Sequence, residues 1–243
     1  MTEWFERWFG EEYLALYPHR DEREAAAAVG LVESNLGGIE VKRALDLACG
    51  AGRHSRLLSE RWWTAGFDLS AALLARAKAA DPAGVYVRGD MRALPFVDQG
   101  FDLVVNLFTS FGYFDNDAQH LRVLAEVARV TRRGGKFVLD FLNSDHVRGT
   151  LVPGESSNIG GRAVEVRREI SADDKFVVKT IASGGEGGAG DQTFVERVRL
   201  FDRMDLETML EESGFGVEQV LGDYAGGAHS ESSPRTIVFA IRE

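Results

Sequence analysis

From residue 43 onward, short apolar runs alternate with segments whose apolar residues recur at helical spacing. The runs RALDLA (43–48), WTAGFDL (63–69), GVYVRGD (84–90), FDLVVNLF (101–108) and GKFVLDFLN (135–143) predict five strands. Helices are predicted between them, over 53–62, 70–80 and 115–133. Ser70 stands where a helix cap belongs. In the third helix Leu121, Leu124, Val127, Ala128 and Val130 share a face, and Gly134 is the expected C-cap. Strand–helix alternation of this kind specifies a mostly parallel sheet with helices on both faces.

The rhythm then changes. Residues 163–170, 174–182 and 193–201 alternate with the two-residue period of antiparallel strands, with SGGEGGAG (183–190) as a turn between the last two. A helix over 203–213 ends at Gly214, and strands at 215–224 and 235–242 close the chain. Without a linker or a repeat, the reading is one domain over 1–243. It comprises an N-terminal helical segment (1–35), a core (40–145), an antiparallel insertion (159–201) and a closing unit (202–243).

Composition narrows the functional classes. A net charge of −10 speaks against a broadly basic nucleic-acid surface. The basic group Arg129, Arg132, Arg133 and Lys136 is read as complementing the end of a helix. Cys49 is the only cysteine, so no intrachain disulfide forms, which fits a reducing, cytoplasmic setting. No apolar run approaches the roughly 20 residues of a membrane span, and no signal-peptide pattern opens the chain. Trp4, Phe5, Trp8, Phe9, Tyr13 and Tyr17 crowd the N-terminus. Glu3, Glu6, Glu11 and Glu12 beside a single Arg7 argue against docking on anionic lipid. The segment reads either as a helix packed on the core or as a lid over a ligand.

The chemistry concentrates in ALDLACGAGRHS (44–55). Gly50 and Gly52 break the first strand into a tight loop, but the third position of Gly-x-Gly-x-x-Gly is Ser55. Asp46 lies at the end of that strand, beneath the loop. A dinucleotide would set its pyrophosphate on the next helix N-terminus. A second anion close by costs on the order of 1 to 4 kcal/mol at contact distance. A ligand with a positive end gains instead, and S-adenosylmethionine, an ammonium and a sulfonium without phosphate, is such a ligand. Asp68, 18 residues after Gly50, can accept both ribose hydroxyls, a feature that suits either cofactor. Asp90, at the third strand tip, can accept from an adenine amino group while Met91 packs on the ring. Cys49 reads as a small residue chosen for fit rather than a nucleophile.

With those residues in view, the chain resembles the class I S-adenosylmethionine-dependent methyltransferases, and among them bacterial small-molecule methyltransferase-like proteins. The matching stretches are LDLACGAG, GFDLS, GDMRALPF, FDLVVNLFTSFGYF and ARVTRRGGKFVLDFLN, within about 40–143. The resemblance implies a Rossmann-like α/β fold of seven strands in the order 3-2-1-4-5-7-6, the last antiparallel. It implies S-adenosylmethionine held by Asp46, Ala48, Cys49, Gly50 and Gly52 of the loop and by Asp68, Leu69, Asp90 and Met91 of the next two strand ends. Asn106 and Phe108 after strand four complete the contacts, with Tyr17 and Arg20 supplied by the lid. The methyl group would pass to oxygen or nitrogen of a small molecule. Tyr113, His19 and His229 are the candidate bases, with Ser110 near the acceptor; His54 lies at the loop, and His120, on an exposed-looking helix, reads as inert.

The motifs of nucleobase methylation, Asn/Asp-Pro-Pro-Tyr/Phe and Pro-Cys, are absent, and no metal-ligand spacing stands out. The insertion would cover the site or support a homodimer. Two alternatives stay open at this point: a nicotinamide-linked oxidoreductase, and a methyltransferase-like binding protein without turnover.

Overall fold

The computed structural model describes residues 3–10, 13, 22–159, 162–184 and 192–243. Five strands, β1 (Arg43–Leu47), β2 (Trp63–Asp68), β3 (Val85–Arg88), β4 (Phe101–Asn106) and β5 (Thr131–Leu142), run parallel to one another. The closing strands β10 (Phe215–Leu221) and β11 (Arg235–Arg242) join them, β11 antiparallel to both β5 and β10. The order is β3-β2-β1-β4-β5-β11-β10, as the resemblance implies.

Alternate residues of each strand serve opposite faces. Leu45, Leu47, Val104, Phe137 and Leu139 pack with Val123, Leu124 and Val127 of α5 (Asp117–Val130). Ala44, Leu103, Val105 and Val138 pack with Val29 and Val32 of α2 (Glu22–Ser34) and Leu58 of α3 (Arg53–Ser59). Burial on both faces explains why these strands read as continuous apolar runs. Each large apolar side chain so buried contributes about 1.5 to 3 kcal/mol. The strand order reverses between β1 and β4, and the crevice beyond their C-terminal ends is where open α/β sheets bind ligands.

Three expectations are corrected here. Helix α5 stops at Val130 rather than near 133, because the chain turns straight into β5, with Thr131 Oγ1 donating back to the Val127 carbonyl at 2.7 Å. Gly134 (φ +71°) is therefore no C-cap. It sits where the pairing jumps from Phe101↔Thr131 to Leu103↔Lys136, a bulge that needs a left-handed residue. Arg129 and Arg132 pair with Glu126 and Asp102, and Lys136 is buried against Glu218. His120 is fully buried rather than exposed, ringed by Phe111, Phe114 and Phe201.

The insertion is a separate four-stranded antiparallel sheet, β6 (Gly154–Ile159), β7 (Arg162–Ile170), β8 (Phe176–Gly184) and β9 (Gln192–Arg199). Its first strand, GESSNI, is too polar to show the alternation that betrayed the other three. Most of the glycine turn at 183–190 lies outside the described residues. Helix α7 (Arg203–Glu212) opens with a capping box of Asp202 and Asp205, and Gly214 follows its end with φ +82°.

Candidate functional site

A cavity of about 1180 Å³ opens at the strand-order reversal. Ala48, Cys49 and Gly50 line it from the loop after β1, Asp68 and Leu69 from the end of β2, and Asp90 and Met91 from the segment after β3. Phe108, Thr109 and Ser110 come from the turn after β4. The N-terminal aromatics Phe5, Phe9 and Tyr13 close over it, and Lys179, Glu196 and Val198 of the insertion bound it on another side. A second cavity of about 410 Å³ shares those last three residues.

Two turns shape this wall. In the first, Ala48 (φ +61°), Gly50 (φ +55°) and Gly52 (φ +76°) adopt left-handed conformations. Gly52 does not line the cavity. A Cβ there would stand 2.8 Å from Tyr86 Oη and 2.9 Å from Ala77 Cβ, so its role is the close packing of α3 onto the sheet. In the second turn two non-glycine residues, Phe108 (φ +62°) and Thr109 (φ +57°), are left-handed in succession. Such a conformation costs about 1 to 2 kcal/mol per residue, and a β-branched threonine is a genuine outlier there. Something must hold it, and Asp140 does: its carboxylate accepts the Phe108 N–H at 2.7 Å and its carbonyl accepts the Thr109 N–H at 3.0 Å.

The acids differ in what they can offer. Asp46 is sealed behind the loop, outside the cavity lining, and accepts from Ser55 Oγ at 2.6 Å. Burial pushes its pKa up to about 6 against that hydrogen bond, and the charge of Asp68 adds to the rise. Burial likewise raises Asp68, opposed by the N–H groups of Ser70 (2.8 Å) and Gly50 (2.9 Å) that its two oxygens accept. Burial and the two carboxylates push the Cys49 thiol well up, so it is a poor nucleophile. A group of buried negative sites that resist ionisation favours a cation and disfavours a phosphate.

Asp90 faces the cavity but is engaged. Arg92 grips both its oxygens and reaches on to Glu3 of the N-terminal segment at 2.7 Å. Burial would raise Asp90, but hydrogen bonds from the Arg92 side chain and backbone outweigh it and hold the carboxyl below its ordinary value.

Of the other predicted residues, Asn106 is buried outside the cavity lining and ties β4 to β1 by donating to the Leu47 carbonyl at 2.9 Å. Tyr113 lines the cavity, with its hydroxyl donating to the Thr109 carbonyl at 2.8 Å and its ring against Trp4 and Phe9. His229 does not reach the cavity: the loop between β10 and β11 turns it toward Thr236 Oγ1, 3.0 Å away. That loop instead delivers Tyr224, and β11 begins with Arg235; both engage Asp140. Tyr17, His19 and Arg20 lie outside the described residues. The aromatic N-terminus is not one amphipathic helix. Among the described residues it begins with a five-residue α1 (Trp4–Trp8) that ends before Phe9, with Tyr13 helical apart from it; Trp8 is buried against Phe194 and hydrogen-bonds Glu196, while Trp4, Phe5 and Phe9 surround Tyr113. No described helix is long and apolar enough to cross a membrane, and no metal-binding cluster occurs among the described residues.

Asp140, Tyr224, Arg235, Lys179 and Glu196 were missed by the sequence reading. Only Asp140 carries a local signal, a charge inside the apolar run KFVLDFLN.

Comparison with known proteins adds a second line of evidence. Residues 44–135 match the family model described as a methyltransferase domain. A dTDP-3-amino-3,6-dideoxy-alpha-D-glucopyranose N,N-dimethyltransferase of Streptomyces fradiae is 27% identical over 209 residues, covering 84% of this chain and 81% of that protein. A demethylmenaquinone methyltransferase of Renibacterium salmoninarum is 36% identical over 110 residues, but the match spans only 45% of either chain. The sugar N-methyltransferase KedS8 of a Streptoalloteichus species superposes with a TM-score of 0.74 at 26% identity, covering 96% of this chain and 94% of that one.

Proposed function

We propose that this chain, a class I S-adenosylmethionine-dependent methyltransferase by its matched domain and its fold, methylates the nitrogen of a small-molecule amine of the aminosugar class. The observation that carries the cofactor reading is the pair of buried carboxylates, Asp68 on the cavity wall and Asp46 behind the loop, both pushed toward protonation, which a cation in the cavity would relieve. The nitrogen reading is supported by the aminosugar methyltransferases among the similar proteins and by Glu196, a carboxylate facing the cavity from the insertion.

Asp68 keeps one lone pair on each oxygen beyond its two backbone bonds, enough to accept a ribose diol. Asp46 supplies negative field from behind the loop. The Phe9 and Tyr113 rings exclude water and offer π faces to a cation. When bound, S-adenosylmethionine would supply an already activated methyl group, with Asp68 placed to hold its ribose and the Phe9 and Tyr113 rings facing its cationic end. Glu196, ion-paired with Lys179 at 3.2 Å, is the carboxylate that would draw in a protonated amine and take up its proton before transfer. Alignment and dryness supply most of the acceleration, since the methyl arrives already activated.

Calorimetric titration with S-adenosylmethionine, S-adenosylhomocysteine and NAD tests the first part; binding of NAD alone overturns it. Asp68→Ala is expected to raise the S-adenosylhomocysteine Kd about tenfold or more, a loss of roughly 1.4 kcal/mol. For the acceptor, a nucleotide-linked 3-aminosugar and its 3-hydroxy counterpart are incubated in parallel and read by mass. Methylation of the hydroxy sugar alone would refute the nitrogen assignment.

A further inference from the structure

The left-handed pair Phe108–Thr109 has no glycine to make its conformation easy, and its two N–H groups are both captured by one residue, Asp140. Asp140 is wholly buried, yet its carboxylate is fully employed. One oxygen accepts from Arg235 Nε at 2.7 Å; the other accepts from Phe108 N and from Tyr224 Oη at 2.6 Å. Arg235 then closes the circuit, its Nη2 donating to Thr109 Oγ1 at 3.0 Å. Two guanidiniums lie close to the Phe108 ring, Arg53 Cζ 4.2 Å and Arg235 Cζ 5.6 Å from its centroid. Phe108 and Thr109 line the cavity; Asp140, Tyr224 and Arg235 stand outside its lining.

We propose that Asp140, Arg235 and Tyr224 are positioning residues that hold the Phe108–Thr109 turn in its strained form, and through it set the cofactor wall of the cavity. The proposal rests on the cofactor reading above. A merely structural ion pair needs only charge neutralisation of Asp140, whereas holding this turn needs the planar fork of an arginine, which reaches Asp140 and Thr109 at once. The two roles therefore part company at Arg235→Lys.

The test combines amide hydrogen exchange of residues 106–112, S-adenosylhomocysteine titration and thermal melting on wild type, Arg235→Lys, Arg235→Met and Tyr224→Phe. Arg235→Lys is expected to melt within a few degrees of wild type, to exchange the Phe108 and Thr109 amides at least tenfold faster, and to bind S-adenosylhomocysteine at least tenfold more weakly. Arg235→Met shows the same loss with a lower melting temperature. Tyr224→Phe, which keeps the ring and removes one hydroxyl, speeds exchange at Phe108 more than at Thr109. Wild-type exchange and affinity in Arg235→Lys and Tyr224→Phe would overturn the proposal. Should wild type itself fail to bind S-adenosylhomocysteine, the cofactor reading fails, while the exchange rates still decide whether the network holds the turn.

Discussion

The turn after β1 and the turn after β4 do the same job by different means. Each bends the chain back at a strand tip so that backbone lines the cavity, and each needs left-handed residues. The first spends glycine on it at two of three positions. The second places a phenylalanine and a threonine there and borrows its stability from Asp140, Tyr224 and Arg235, which lie up to 126 residues away in sequence. Where conformational freedom is intrinsic, the turn tolerates distant change and resists local change. Where it is imposed, the reverse holds.

Substitutions that exchange these two strategies should separate them. The largest effect is expected from Gly52→Ala. The new Cβ meets Tyr86 Oη and Ala77 Cβ inside 3.0 Å in a left-handed backbone, so destabilisation of about 3 to 4 kcal/mol is expected in urea or thermal melts. A loss under about 1 kcal/mol would mean that the glycine loop is less constrained than its contacts indicate.

Next comes Asp46→Asn. The folded state holds the Asp46 proton to about pH 6 against an ordinary value of 3.8, so its contribution to stability is full below 3.8 and is lost as pH rises through about 6. The loss integrates to roughly 3 kcal/mol. The asparagine variant should therefore match wild type in acid and exceed it by up to about 2 to 3 kcal/mol near pH 8, while binding S-adenosylmethionine more weakly. Melts across pH check the first half and calorimetry the second. His120 adds to the acid limb of the same curves, together with the Arg-paired carboxylates Asp90, Asp102 and Glu126 that are held below their ordinary values: burial lowers His120 to about 4 from 6.5, so its contribution is full above 6.5 and is lost as pH falls through about 4.

The smallest effect sharpens the comparison most. Ala48→Gly should stabilise by roughly 0.5 to 1 kcal/mol, because it relieves a left-handed alanine in a turn already built from glycine. Thr109→Gly should give no such gain, because the relief is offset by the lost hydrogen bond from Arg235. Equal gains at both positions would show that the second turn is not held from outside.

Most of the site's framework was legible in the sequence because it is local. The apolar periods of β1 to β5, the glycines of the first loop and the acids at 46, 68 and 90 each follow from a few neighbouring residues. Errors arose where a local pattern had two readings. His120 looked exposed because its neighbours are polar, yet the aromatic residues that bury it come from 111–114 and from Phe201. Gly134 looked like a helix cap and is a bulge, because only pairing with β4 reveals the jump in register. His229 looked well placed because its loop does, but a loop's exit point does not fix where a side chain turns.

What the sequence determined by itself was the parallel core, the glycine loop and a row of strand-tip carboxylates at 46, 68 and 90. The tertiary structure decided which of those carboxylates face the cavity, that the insertion contributes Lys179 and Glu196, and that Asp140, Tyr224 and Arg235 converge behind Phe108 and Thr109. The physical reason is range. Secondary structure and turn chemistry are set within a few residues, whereas a buried charge is stabilised only by partners that folding brings to it, and those partners leave no mark on the sequence around it.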